Sequence, residues 1–181
     1  TNGRPLADLL MRLLGFGGEN IIDISPLTLI FSVLVFVFSA YYYFKSNFGD
    51  TGPVFSAVIF FFAFANPFLL ENLSYKFDSL PMIIALSLLV FAFVNIGSKT
   101  KCWLLSVFVI LASLCLYQAA IGFFVCLAVM EFVQQYAKAT LHPVNVVSIY
   151  KSAIARIMQL LSAYVVYAVF IAPKYVALFH L

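Results

Sequence analysis

The chain has 181 residues, of which 65% are hydrophobic and 9% carry a formal charge, and its net charge is +3. A soluble domain has about 25% charged residues, so this chain has too few polar groups to cover its exterior and must expose most of its surface to lipid. A free-standing soluble enzyme is excluded. The absence of any basic run longer than Lys99-Thr100-Lys101 also excludes a nucleic-acid partner.

The first predicted element is a short amphipathic helix over 3–16. Leucines recur there at helical spacing, and Asp8 and Arg12 lie one turn apart on the polar face. Such a helix is expected to lie in the membrane interface on the non-cytoplasmic side; a connecting helix that only plugs the bundle is the alternative. We therefore assign 1–26 to an external loop and 27–181 to a transmembrane helix bundle.

About six membrane spans follow, because a spanning helix needs about 20 mostly apolar residues. Residues 102–132 would form one helix of about 46 Å, which exceeds a hydrocarbon core of about 30 Å. The positive-inside rule favours a hairpin that turns near Tyr117 and Gln118, because this topology collects most loop cations on the cytoplasmic side. The predicted spans are 27–44, 53–70, 80–96, two short helices within 102–132, and 157–172.

The hairpin topology gives the two membrane faces different charges, with every charge at the end of a span. The charges expected on the cytoplasmic side are Lys45, Lys99, Lys101, Lys138, Lys151 and Arg156, against Asp50 and Glu131. The charges expected on the external side are Arg4, Arg12, Lys76 and Lys174, against Asp8, Glu19, Asp23, Glu71 and Asp78.

The most polar segment lies between two predicted spans, at 66–81. If it is helical, Glu71, Ser74, Tyr75 and Asp78 share one face. Paired carboxylates suit general acid or base catalysis on a hydroxyl, or divalent-metal binding, because burial and like-charge repulsion can raise the pKa of one member. The alternative is a loop that is polar only because it reaches water.

Three further polar residues extend this candidate site. Lys76 lies on another side of such a helix, where it could meet the phosphate of an anionic lipid. Tyr117 and Gln118 form a polar pair inside a long apolar run, and the hairpin brings them to the membrane face that carries the two carboxylates. The alternative for Gln118 is a hydrogen bond to a neighbouring helix that only fixes the packing.

Five short segments carry a resemblance to a known family: GRPL at 3–6, IDISP at 22–26, NPFLLENLSYKFDS at 66–79, PM at 81–82 and LYQA at 116–119. With these segments the sequence resembles the Gtr family of bacterial O-antigen glucosyltransferases, the membrane enzymes of serotype conversion. The resemblance implies a polytopic fold of the lipid-sugar-dependent GT-C class. It also implies that the chain is an internal fragment that is inactive alone, because the first helix, the acidic start of the first external loop and the C-terminal part of the family's pattern are missing.

The resemblance further implies a reaction and its partners. Glucose would move from undecaprenyl phosphate-glucose to the lipid-linked O-antigen glycolipid, at the periplasmic face of the bacterial inner membrane. The usual base candidate of such folds is a carboxylate in the first external loop, so Glu71 and Asp78, the catalytic candidates here, would bind acceptor hydroxyls or support that base. The expected substrate-binding residues are Arg4, Asn72, Tyr75, Lys76, Tyr117 and Gln118.

No cofactor is indicated with certainty, and a divalent metal at the carboxylate pair stays open. The three cysteines, Cys102, Cys115 and Cys126, have spacings that fit neither a metal site nor a redox pair, so no metal ligands are assigned. A polytopic transporter or lipid flippase is the alternative function. It would require ionisable residues near the bilayer midplane, and the sequence predicts none there.

Overall fold

The regular structure of the chain is helical. The computed structural model describes residues 4–15, 26–48, 58, 67–75, 78–93, 99–141 and 146–176. Within these residues there is no strand, which confirms the predicted all-α class. The helices are α1 (Pro5–Leu14), α2 (Leu27–Phe48), α3 (Pro67–Ser74), α4 (Ser79–Phe91), α5 (Lys99–Leu116), α6 (Ile121–Leu141) and α7 (Val146–Val166). Helix α7 continues through a π-helical turn, Tyr167–Ile171, into a last helical turn, Ala172–Val176.

Three helical segments of the described chain are long and apolar enough to cross a membrane, which fits a membrane protein. They are Leu27–Asn47, Gln118–Ala137 and Val146–Tyr175. The apolar parts of α4 and α5 are shorter. Because α4 is buried along most of its length between its neighbours, it needs no lipid-facing surface. The predicted span 53–70 lies mostly outside the described residues.

The predicted hairpin in 102–132 is confirmed. Helix α5 ends at Leu116, and Tyr117 has an extended backbone with φ −154° and ψ 105°. A 3₁₀-helical turn, Gln118–Ala120, then leads into α6. Two hydrogen bonds set the direction of the first arm, because the Ser113 hydroxyl donates to the Ala85 carbonyl and the Ser106 hydroxyl donates to the Ala92 carbonyl. Helix α5 is therefore antiparallel to α4.

Contacts along α4 define two ends of the bundle. At the first, the Asp78 end, Asp78 begins α4 and lies beside Arg4. At the second, the Ala92 end, the Phe91 ring lies 6.4 Å from that of Tyr42 on α2, and the Ala92 carbonyl accepts a hydrogen bond from Arg156 on α7. Helices α2, α4 and α6 thus run from the Asp78 end to the Ala92 end, and α5 and α7 run back.

The amphipathic helix predicted over 3–16 is present as α1. It packs on α5 with Ala7 buried, while Leu9 and Leu13 stay exposed. The Arg12 Nε donates to the Asp8 carboxylate at 3.1 Å on the outer face. This packing holds the start of α1, and with it Arg4, at the Asp78 end of the bundle.

The expectation that every charge lies at the end of a span is wrong for Glu131 and Arg156. Both lie inside helices that qualify as spans, and the Arg156 guanidinium donates to both oxygens of the Glu131 carboxylate, at 2.7 and 3.0 Å. Because each charge is neutralised by the other, neither needs to reach water. Helix α6 therefore continues past Glu131, and α7 begins at Val146 rather than at residue 157.

Candidate functional site

A cavity of about 830 Å³ opens at the Asp78 end of the bundle, within the range of about 300–1,000 Å³ that is usual for ligand sites. It is bounded by the start of α1, by α2, α3 and α4, by the turn after α5 and by α6. The polar residues that line it are Arg4, Glu71, Asn72, Tyr75, Asp78 and Tyr117. The other lining residues are Phe36, Leu69, Met82, Leu86, Ala119, Gly122, Phe123 and Cys126. All six polar residues were predicted as site residues.

Glu71 and Asp78 line the same cavity, but the single helix suggested for residues 71–78 is absent. Helix α3 ends at Ser74, whose hydroxyl donates to the Glu71 carbonyl at 2.7 Å, and Asp78 is the N-cap residue of α4. Pro81 explains the new helix start, because proline is tolerated in a first turn and clashes within a continuous helix. The carboxylates therefore approach the cavity from two helices rather than from one face.

Asp78 is held at the cavity mouth by the start of α4. Its carboxylate makes no capping hydrogen bond, and its side chain is 54% exposed. Its ion-pair partner among the described residues is Arg4, whose Nη1 lies 3.7 Å from Asp78 Oδ2. An ion pair of this length and exposure is weak. The Asp78 carboxylate can therefore leave Arg4 and interact with a ligand at low cost.

Arg4 is the cation among the described residues that line the cavity. Its Cζ lies 5.2 Å from the centroid of the Tyr117 ring, a cation–π contact that holds the guanidinium above the turn between α5 and α6. A guanidinium can bind a phosphate through two parallel hydrogen bonds. The position of Arg4 therefore suits an anionic group that enters the cavity.

The other predicted residues divide between the cavity and its surroundings. Asn72 and the half-exposed Tyr75 lie beside Glu71 at the end of α3, where amide, phenol and carboxylate groups face one opening. Gln118 is not among the lining residues, and its amide donates to the Tyr167 hydroxyl at 2.5 Å, the packing contact considered as an alternative. Lys76 lies outside the described residues.

Sequence reasoning missed the apolar walls of the cavity. Met82 and Leu86 follow Asp78 at intervals of four residues, so one face of α4 lines the cavity from its mouth inward. Gly122 and Cys126 form a similar stripe at the start of α6. The spacing of four residues is visible in the sequence. The neighbouring residues of both helices are also apolar, however, so nothing in the pattern marks these positions as cavity lining. The resulting cavity combines a polar mouth with apolar walls, which suits an amphiphile with a polar head.

No group of three or more His, Cys, Asp or Glu side chains that could hold a metal ion occurs in the part of the chain that the structure describes. The two carboxylates and one guanidinium of the cavity can instead bind hydroxyl and phosphate groups by hydrogen bonds and charge.

Comparison with known proteins identifies the family. The sequence matches the family described as Glucosyl transferase GtrII over residues 1–176. The chain belongs to this GtrII family. It is also 30% identical, over 176 residues, to an uncharacterized 55.3 kDa protein in the gtrB 5′ region of Salmonella phage P22. That match covers 97% of this chain and 35% of the phage protein, so the chain spans about a third of its relative's length. No solved structure matches the present chain.

Membership of the GtrII family confirms the predicted resemblance to Gtr proteins. The match includes α1, the end of α3, the start of α4 and the turn after α5, which are the elements that supply the polar cavity lining. The cavity is therefore built from the part of the chain that this GtrII protein shares with its family.

Proposed function

We propose that the chain belongs to the membrane portion of a glycosyltransferase that moves glucose from undecaprenyl phosphate-glucose to a lipid-linked O-antigen glycan. The reaction would take place at the periplasmic face of the bacterial inner membrane. The observation that carries the proposal is the cavity in which Arg4, Glu71 and Asp78 meet above apolar walls. Family membership supports glucosyl transfer as the chemistry.

In this proposal, the donor binds with its phosphate at Arg4 and the first part of its prenyl chain along Met82 and Leu86. The phosphate carries negative charge, so it competes with the Asp78 carboxylate for the guanidinium. Because the Arg4–Asp78 pair is long and partly exposed, the donor phosphate replaces it readily. Donor binding then frees the Asp78 carboxylate for the acceptor.

The acceptor glycan would bind at the mouth of the same cavity. Glu71, Asn72 and Tyr75 supply hydrogen-bonding groups for sugar hydroxyls. An acceptor hydroxyl attacks the anomeric carbon of the glucose, the bond from that carbon to the phosphate oxygen breaks, and the hydroxyl proton passes to a base. Asp78 and Glu71 orient the hydroxyl and support that base, and Arg4 stabilises the charge of the departing undecaprenyl phosphate.

A transporter or lipid flippase is the second candidate function. Glu131 and Arg156 favour it in one respect, because they are ionisable residues inside helices that qualify as spans. Neither residue lines the polar cavity, and their charges neutralise each other. A saturated ion pair does not serve to recognise a charged cargo. The transferase is therefore the better-supported proposal.

The proposal is tested by following labelled glucose from undecaprenyl phosphate-glucose into O-antigen, in membranes that contain the full-length protein. Glu71→Gln and Asp78→Asn should each lower transfer by about 100-fold or more, because they remove charged groups that act on the reacting hydroxyl. Asp8→Asn is the matched control, since Asp8 pairs with Arg12 on the outer face of α1.

Two results would contradict the proposal. Wild-type membranes that transfer no glucose to any O-antigen acceptor, despite normal insertion, would favour the transporter. Wild-type activity that persists in both amide variants would remove Glu71 and Asp78 from the site.

A further inference from the structure

Arg156 forms a hydrogen-bond network at the Ala92 end of the bundle. Its side chain is 11% exposed, and besides the two bonds to Glu131 it donates through Nη1 to the Ala92 carbonyl at 2.8 Å and to Gln159 Oε1 at 3.1 Å. Its Cζ lies 4.4 Å from the centroid of the Phe93 ring. One guanidinium thus joins α6, α7 and the end of α4.

The Ala92 carbonyl belongs to the C-terminal end of α4, where helix carbonyls have no partner within the helix. It accepts hydrogen bonds from Arg156 and, at 3.1 Å, from the Ser106 hydroxyl. The positive charge of the guanidinium also opposes the negative end of the helix dipole. The Ala92 end of α4 is therefore bound by directional interactions, which a solvent-free environment requires.

These directional bonds matter because the rest of the α4 surface is almost wholly apolar and buried. Apolar contacts are non-directional, so they oppose sliding or rotation of a helix less than hydrogen bonds do. The described hydrogen bonds from other helices to α4 are those to the Ala92 carbonyl and one from Ser113 to the Ala85 carbonyl. They hold α4 at a single height and rotation.

The opposite end of α4 carries part of the cavity. Asp78, Met82 and Leu86 form the face of α4 that lines it. Asp78 lies about 21 Å along the helix axis from Ala92, and Arg156 itself does not line the polar cavity. A displacement of one residue would move Asp78 by about 1.5 Å and turn it by about 100°.

We infer that Arg156 is a positioning residue: by holding the Ala92 carbonyl, it sets the height and rotation of α4 and thereby the position of Asp78 in the cavity. Glu131 orients the guanidinium for this task through its two hydrogen bonds. A displacement of about 1 Å at a reacting group can cost about 100-fold in rate, so the network would affect transfer without touching the substrate. This consequence for transfer rests on the proposed function.

The first test measures the rotation of α4 directly. In full-length protein whose native cysteines are replaced, Met82→Cys should react with a water-soluble methanethiosulfonate, because the 7% of Met82 that is exposed lines the cavity. Ile83→Cys should not react, because Ile83 is fully buried. The double variant Arg156→Met/Glu131→Leu removes both charges together and so leaves no unpaired charge. In that background we expect the difference between the two labelling rates to be lost, because a turned α4 moves position 82 away from the cavity and position 83 towards it.

The second test measures transfer by the same double variant. We expect kcat to fall about tenfold or more, and KM for the lipid donor to change less than kcat does, because Arg4 lies on α1 and only the contacts of Met82 and Leu86 with the prenyl chain move with α4. Lys151→Met is the matched control, since Lys151 is an exposed cation on the same helix. Loss of folded protein alone would lower the yield and leave kcat and the labelling pattern unchanged.

If the double variant does not insert into the membrane, Arg156→Lys replaces it in both tests. A lysine keeps the charge beside Glu131 but cannot match the fork of donors to Glu131 and Ala92, so we expect a milder form of the same two changes. Unaltered labelling and kcat in the variant that inserts would overturn the inference. A wild-type protein that labels as expected but transfers no glucose would contradict the proposed function and not the role of Arg156.

Discussion

Arg4 supplies the positive charge among the described residues that line the cavity. It stands against two carboxylates, Glu71 and Asp78, and its only described ion pair is the weak one to Asp78. A cavity with this balance binds an anionic donor only if the guanidinium can exchange one partner for another. Arg4 is therefore expected to govern donor binding more than the bond-breaking step.

Replacing Arg4 with Gln should raise KM for undecaprenyl phosphate-glucose about tenfold or more, because a charge-assisted hydrogen bond to a phosphate is lost. Arg12→Gln on the same helix should leave KM unchanged, since Arg12 is exposed and pairs with Asp8 outside the cavity. The measurement is the dependence of the initial rate on donor concentration in membranes. An equal effect of both substitutions would show that the charge of α1, rather than the cavity, binds the donor.

Gly122 offers a test of the cavity that does not depend on charge. It lines the cavity, and a Cβ built on it would meet no atom within 4 Å. Gly122→Ala should keep full transfer and stabilise the fold by about 0.5–1 kcal/mol, as expected for alanine in a helix. Gly122→Phe should abolish transfer by filling the donor space. Comparable transfer by the two variants would mean that no substrate occupies this part of the cavity.

At the scale of elements, the turn between α5 and α6 depends on a bond to α7. The Gln118 amide donates to the Tyr167 hydroxyl, and Tyr167 is the first residue of the π-helical turn. This hydrogen bond connects the turn to the end of α7. The same turn carries Tyr117, whose ring lies beneath Arg4. Gln118 is thus expected to support the cavity wall from outside.

Tyr167→Phe should lower the free energy of unfolding by about 1 kcal/mol, because it removes one partner of an interhelical hydrogen bond. The matched control is Tyr164→Phe, since Tyr164 is half exposed on the same helix. Thermal denaturation of both variants in detergent, followed by circular dichroism, provides the comparison. A melting temperature that stays unchanged in Tyr167→Phe, or that falls equally in both variants, would contradict the role of the Tyr167 hydroxyl.

The elements also differ in how far they could be predicted. The hairpin was predictable because 102–132 is longer than one span needs and the positive-inside rule favours a reversal near Tyr117, although one long helix stayed the alternative. The break between α3 and α4 was not, because 71–78 also fits a helical period, and Pro81 shows only that a helix starts nearby. Two short helices and one continuous helix carry the same local pattern over 71–78, so the position of the break is seen only in the structure.

At the scale of the whole molecule, three lysines of the described residues lie at the ends of the bundle that the sequence predicts for them. Lys45 lies near the Ala92 end, since α2 ends there, and Lys151 precedes Arg156 on α7. Lys174 lies beyond Tyr167, towards the Asp78 end. If the cavity is periplasmic, as proposed, cysteines at these positions should label from opposite sides.

In cells with a permeable outer membrane, Lys174→Cys should react with a membrane-impermeant maleimide, in a background whose native cysteines are replaced. Lys45→Cys and Lys151→Cys should react only after the inner membrane is disrupted, because the positive-inside rule assigns them to the cytoplasm. The opposite pattern would invert the topology and contradict a periplasmic site. Equal labelling of all three from one side would contradict the helix directions described above.

Several properties of the protein follow from its sequence alone. Composition indicates a membrane protein, because a chain with 9% charged residues has too few polar groups to cover its surface in water. Apolar runs of about 20 residues then predict that its spans are helices. Helical spacing predicts α1, and charge placement predicts the two ends. The polar segment at 66–81 predicts four of the polar residues that line the cavity, Glu71, Asn72, Tyr75 and Asp78. These properties depend on local pattern or on sums over the chain.

The pairing of distant residues required the tertiary structure. Arg156 meets Glu131 and Ala92, which lie 25 and 64 positions away, and Gln118 meets Tyr167, 49 positions away. Charge and hydropathy placed Arg156 in a loop, because an isolated cation favours water. Only the packing of α4, α6 and α7 around the guanidinium supplies the partners that let it stay buried, and such partners have no local pattern in the sequence.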